Sequence, residues 1–240
     1  MTNLVRGAEN APLLRFRNTH SGQTCLLVGN GRNLVQTPPE YFEYPSFGMN
    51  TIFRYEGWKP TYYVAVDSRV MREFGVEIAD KYRDLPKFIP TPNLDQWQGE
   101  NFYRWFHRPG PLFPRSNLPM PANLLTEPGI TYGNVMHAAM QIAWFMGFTT
   151  MLIVGMEHGK NPRAHFWGED EGMNGAIPVE DWLAGYKILR EGMGVRMLNL
   201  SAHTFVPDEI IPQDNWYNWC NPFVLDENQE WVETDRQKVT

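Results

Sequence analysis

The sequence predicts an α/β fold: a Rossmann-like, mostly parallel sheet flanked by helices, with one irregular, lid-like insertion. Three observations predict it. Four short β-rich runs are continuously apolar rather than alternating, as strands covered on both faces are. Helical patterns lie between them, and strand–helix alternation is the mark of parallel strands joined by crossovers. The chain has 240 residues, 42% of them hydrophobic, which is enough for one sizeable core.

The strand runs are Thr24–Val28, Thr61–Val66 (TYYVAV), Met151–Val154 (MLIV) and Val195–Leu200 (VRMLNL). In GNVMHAAMQIAWFMGF, Val135, Ala138, Ala139, Ile142 and Met146 recur on one helical face, and Gly147 supplies a stop before MLIV. Pro178–Met193 repeats the pattern with Val179, Trp182, Leu183, Tyr186 and Leu189; Pro178 suits a first turn, and Gly192 and Gly194 mark the exit. A weaker helix covers Val70–Tyr82. Residues 86–128 break the rhythm. They are rich in proline and aromatics, which fits an ordered insertion or lid near a ligand. These elements make 1–206 a single α/β domain. Residues 207–240, acidic and Trp-rich, read as an extension packed on that domain or on a partner subunit, so a homo-oligomer is open.

The net charge of −6 argues against a nucleic acid partner, although Arg outnumbers Lys and a local phosphate pocket stays open. Two cysteines without a CxxC argue against a disulfide scaffold or a zinc site, and fit a reducing compartment. The N-terminal stretch lacks a signal-peptide core and no apolar run is long enough to span a bilayer, so the expected location is cytoplasmic.

The first strand breaks into Gly29-Asn30-Gly31 at its carboxyl end, the edge where open α/β sheets bind ligands. Two glycines permit close approach, and successive N–H groups there can form an anion nest. The full dinucleotide fingerprint is absent, because Arg32-Asn33-Leu34 follows without a third glycine. Asn50 ends FGMN, Asp67 follows TYYVAV, and Thr131-Tyr132-Gly133 opens the long helix, where free N–H groups favour an anion. Asn30, Asn33, Asn50, Asp67 and Thr131 therefore can converge on one crevice suited to a base and ribose. Each also has a plainer reading: a tight turn at GNG, helix caps at Asn50 and Thr131, a turn residue at Asp67. The acidic run 168–172 holds Glu169, Asp170 and Glu171. With Asp67 it could hold Mg2+, or it is a solvated loop.

VGNGRNL, FGMNTIFR, PTYYVAVD, GITYGNVMHAAMQIAWFMGFTTMLIVGMEHG, HFWG and GVRMLNLS occur in this order. Over about residues 22–205 the chain resembles bacterial sialyltransferases of the Rossmann-like, GT-A-variant kind. It also resembles the related family of motility accessory factors and an archaeal pterin diphosphokinase. The resemblance implies a CMP-sugar or similar nucleotide donor and a glycan or other hydroxyl acceptor, with no cofactor required. Asn30 and Asn33 would hold phosphate and ribose, with Gly29 and Gly31 in the same loop. Asn50 and Asp67 would lie near the nucleotide, and Thr131 and Gly133 would bind it at the helix start. The family's base histidine maps to His165.

Four departures stand out. Tyr132 stands where the family commonly has a small residue. Arg32-Asn33 replaces Pro-Ser. Gly155-Met156-Glu157 replaces Gly-Ile-Asp. The family's His-x-x-Gly-His continues here as His165-Phe-Trp-Gly168-Glu169, so His165 or Glu169 would supply the base. A neutral histidine is the natural base for an acceptor hydroxyl. His158 is a second candidate, while His137, inside the apolar helix, reads as a satisfied core residue. Two alternatives accompany the glycosyltransferase reading: a magnesium-dependent, pterin-type diphosphokinase, and a non-catalytic nucleotide-binding module.

Overall fold

The computed structural model describes residues 11–90, 100–105, 120–125, 127, 129, 134–158, 164–169, 179–220, 223–225 and 231–233. In chain order the strands are β1 (Thr24–Val28), β2 (Ser46–Met49), β3 (Tyr62–Val64), β4 (Lys87–Pro90), β5 (Phe102–Trp105), β6 (Thr150–Val154), β7 (Ala164–His165), β8 (Gly168–Glu169), β9 (Arg196–Asn199), β10 (Phe223–Leu225) and β11 (Trp231–Glu233). Seven of them make one sheet in the order β5-β4-β3-β2-β1-β6-β9, and every neighbouring pair is parallel. β7–β8 and β10–β11 are separate antiparallel hairpins.

The helices are α1 (Ser68–Lys81), α2 (Val135–Phe145) and α3 (Val179–Met193). Alternate strand residues point to opposite faces. Cys25, Leu27, Met151 and Ile153 therefore join α2, α3 and the 3-10 segment Ala11–Phe16 in one core layer. Leu26, Val28, Leu152 and Val154 pack with α1 in the other. The layering explains the continuous apolar runs: each central strand is covered twice. α2 is buried almost all round, from Met136 through Phe145, because it fills the middle of its layer. Asn134 caps its start by accepting from Met136 N at 2.9 Å.

The expected run 61–66 is shorter in the structure. The strand ends at Val64: Ala65 N–H still donates to Phe88 O at 3.1 Å, and Val66 N–H turns to the Asn50 side chain at 3.3 Å. Residues 86–128, expected to be irregular, supply β4 and β5 to the edge of the sheet. Those strands have four residues each, too short for a periodic signal. Their Phe88, Tyr103 and Trp105 are core residues. β2 was equally hidden, as a four-residue run containing Gly48. Of the tail, Ile211 and Trp216 are buried, and Pro212 O accepts from Asn199 N at 2.8 Å, which holds residues 207–220 against β9. No described helix is long and apolar enough to cross a membrane.

Candidate functional site

After β1 the chain lays β2 to β5 successively on one side, then returns to place β6 and β9 on the other. The loops leaving β1 and β6 thus diverge at a topological switch point, where open α/β sheets bind ligands. A cavity of about 160 Å3 lies there. An engineered cavity of roughly this size holds one benzene ring, so the enclosed part takes a single ring and the rest of a larger ligand must extend outward.

The glycines of GNG are explained by the neighbouring loop. Gly29 N–H donates to Val154 O and Gly31 N–H to Gly155 O, both at 2.9 Å. A Cβ on Gly29 would stand 2.5 Å from Gly155 O, and one on Gly31 2.8 Å from the same oxygen. Gly155 itself has φ +66°, and a Cβ there would meet Gly29 O at 2.7 Å. The anion nest expected of this loop is therefore not available: its glycine N–H groups stitch the two switch-point loops together.

That stitching places Asn30 on the cavity wall. Its Nδ2 donates to Met49 O at 3.0 Å, and its Oδ1 is enclosed without a partner. Asn50 lines the same wall with φ +44°, a left-handed conformation asparagine tolerates. Its side chain accepts from Val66 N and its carbonyl accepts from the Tyr63 hydroxyl at 2.6 Å. From β6 come Glu157, with an enclosed and unpartnered Oε2, and His158.

α3 contributes Trp182 and Tyr186, one turn apart, and the Trp182 Nε1 is also enclosed and unpartnered. The Tyr186 hydroxyl stands 2.7 Å from His158 Nε2 and accepts from Asn134 Nδ2 at 2.9 Å. The His158 ring packs 4.8 Å from Trp182, centroid to centroid. Burial, and then the nearby His137, push the His158 pKa down to about 3, so the ring is neutral at working pH. Burial raises that of Tyr186 well above its ordinary value, opposed by the Asn134 hydrogen bond.

The β7–β8 hairpin forms the remaining wall through Ala164 and His165. Phe166 N–H donates to Asn30 O at 3.0 Å, and Trp167 Nε1 donates to Thr51 Oγ1 at 3.2 Å. The Trp167 ring stacks on His165, with centroids 5.2 Å apart, and the Arg54 guanidinium lies 4.3 Å from its centre. His165 is thus carried on a wall anchored to the loops after β1 and β2.

The other predicted residues lie elsewhere. Asp67 caps α1, accepting from Arg69 N at 2.8 Å, and is absent from the cavity lining. Asn33 is buried and ties the first loop to the β9 exit through Nδ2 to Ala202 O at 2.5 Å. Glu169 is exposed and pairs with Arg32 at 3.2 Å, outside the lining. Thr131, Gly133, Asp170 and Glu171 lie outside the described residues. Among the described residues no group of three or more His, Cys, Asp or Glu side chains is placed to hold a metal. Asn134, Trp182 and Tyr186 escaped the sequence reading as site residues. The aromatic pair read as one apolar helix face, and an asparagine before a helix reads as a cap.

No protein-family profile matches the chain, and no curated protein matches it in sequence. Among solved structures, the sialyltransferase CstII from Campylobacter jejuni in complex with the substrate analogue cytidine-5'-monophosphate aligns at TM-score 0.49 and 10% identity, over 90% of this chain and 96% of that one. CST-II with a trisaccharide acceptor and CMP aligns at 0.48 and 9%, over 90% and 96%. An apo alpha-2,3-sialyltransferase from Campylobacter jejuni aligns at 0.44 and 16%, over 91% and 93%. These are similarities of this chain to those proteins.

Proposed function

We propose that the protein is an inverting glycosyltransferase that moves a sugar from a nucleotide-activated donor, CMP-linked, to an acceptor hydroxyl. One observation carries the reading: residues distant in the chain, Asn30, Asn50, Glu157, His158 and His165, surround one cavity at the switch point of a parallel sheet. The ordered resemblance of the loop motifs supports the choice of donor. In the reaction the acceptor oxygen bonds to the anomeric carbon as the bond from that carbon to the phosphate oxygen breaks. The phosphate keeps the electron pair, and His165 takes the hydroxyl proton. The Asn30 and Glu157 oxygens accept from donor groups on the ring held in the cavity.

The diphosphokinase alternative would draw on Asp67 and the acidic run; Asp67 is engaged as a helix cap and Glu169 in an exposed pair. The test is a thermal-shift panel of CMP, CDP, UDP, GDP, ADP and ATP, with and without magnesium. Stabilisation selective for CMP is expected. Magnesium-dependent stabilisation by ATP, with ATP turnover, would replace this reading by the diphosphokinase.

A further inference from the structure

The hydrogen bonds around His158 can be assigned atom by atom. Asn134 Oδ1 accepts from Met136 N as the cap of α2, which fixes the amide so that Nδ2 faces Tyr186. The Tyr186 oxygen accepts from that Nδ2, and its own proton has His158 Nε2 at 2.7 Å as acceptor. Asn134 Nδ2 lies 3.5 Å from the same ring nitrogen, a second donor on that side. A nitrogen facing two donors is the unprotonated one, so the neutral ring carries its proton on Nδ1. Both hydrogen bonds of the described structure to this ring use Nε2, which leaves Nδ1 for a ligand in the cavity that His158 lines. The backbone adds a second, independent sign. His158 has φ +50°, an uncommon conformation for a side chain of this size, and such strain collects at ligand-binding positions.

We propose that His158 is a catalytic hydrogen-bond donor: its Nδ1–H binds an oxygen of the leaving phosphate of the donor nucleotide, and Asn134 and Tyr186 are positioning residues that hold the ring in this tautomer. His158 then is neither the base nor a cation. It steadies charge developing on the phosphate without giving up a proton. The low basicity of the ring agrees with this, since it stays uncharged beside Tyr186, Trp182 and His137, the groups packed about it. The inference rests on the nucleotide-donor reading above.

The experiment combines 15N NMR of the histidines with CMP titration. In the wild-type protein His158 is expected as the neutral Nδ1–H tautomer between pH 5 and 8, and CMP is expected to shift its Nδ1–H resonance. Tyr186→Phe removes the proton donated to Nε2; a mixture of tautomers and a raised pKa are expected, which a merely structural role for Tyr186 would not produce. His158→Gly suits the left-handed backbone and removes the donor, and it is expected to weaken CMP binding by about 10- to 100-fold. An Nε2–H tautomer, or CMP binding equally to wild type and His158→Gly, overturns the inference alone. Failure of every nucleotide to bind the wild-type protein overturns it together with the proposed function. Should His158→Gly fail to fold, the tautomer and the Tyr186→Phe spectrum decide.

Discussion

Two regions bury polar groups, and they treat them oppositely. At the corner between α1 and β4, Lys87 is fully buried, yet its ammonium donates to Tyr82 O at 2.7 Å and Leu85 O at 3.0 Å and lies 4.7 Å from the centre of the Phe102 ring. At the switch point, Asn30, Glu157 and Trp182 each leave an enclosed polar atom without a partner. A charge buried for architecture is satisfied by the chain itself. Polar atoms left enclosed and unpaired cost free energy unless something else completes them. The Tyr82 hydroxyl is a lone unpartnered atom near the lysine corner, whereas the three at the switch point line one cavity from three different elements.

The largest expected effect separates chemistry from stability. On the proposed reading of His165 as base, His165→Ala should lower the transfer rate by about 100- to 10,000-fold while leaving the urea midpoint nearly unchanged. A transfer rate equal to wild type would remove His165 from that role and shift attention to the other walls.

Next, Gly155→Ala should damage both properties. The new methyl would meet Gly29 O in a left-handed backbone, and a loss of about 2–3 kcal/mol is expected from chemical denaturation. CMP affinity should fall with it, since the same contact places Asn30. Unchanged stability would mean the two loops can part, which would undo the account of the GNG glycines.

A smaller effect belongs to the lysine corner alone. Burial lowers the Lys87 pKa to about 8, with Asp84 opposing. Below pH 8 both folded and unfolded chains carry the charge, and the full penalty of burying it is present. Between about 8 and the unfolded value of 10.5 the unfolded chain holds more protons, so stability rises with pH, by on the order of 2 kcal/mol. Buried Cys25 and buried tyrosines such as Tyr63 and Tyr186 act in the other direction within the same range, because their folded pKa values are raised. The lysine contribution is therefore read as a difference: between pH 8 and 10 the urea midpoint of the wild type should gain on that of Lys87→Met, with CMP binding unaltered. The smallest effect is Glu169→Gln, which breaks an exposed pair and should cost under about 1 kcal/mol, with activity within a few-fold of wild type. A deep loss of activity would return Glu169 to the catalytic set.

Much of the architecture was legible because doubly covered strands must be apolar throughout. TCLLV and MLIV announce the middle of the sheet, and the loop after each strand could be assigned to the binding edge from topology alone. β2, β4 and β5 were not legible, because four residues show no period and Lys87 in β4 reads as a surface residue until its two carbonyl partners are known. Within the site, Asn30 and Asn50 stood out as polar residues near glycines at strand ends, whereas His165 was singled out by the family resemblance. Asp67 and Asn33 carry the same local marks, but their partners, Arg69 N and Ala202 O, emerge only when the chain is folded. Trp182 and Tyr186 were hidden for the opposite reason: an aromatic ring facing a core and one facing a cavity leave the same trace in sequence.

Asn134 works two ways with one amide. Its oxygen ends the helix ladder, and its nitrogen feeds the phenol. Exchange of that nitrogen for oxygen, as in Asn134→Asp, would preserve the ladder while drawing the Tyr186 proton away from His158 Nε2 to the new carboxylate. Folding and chemistry here diverge at a single atom, and evolution could retune one with little hindrance from the other.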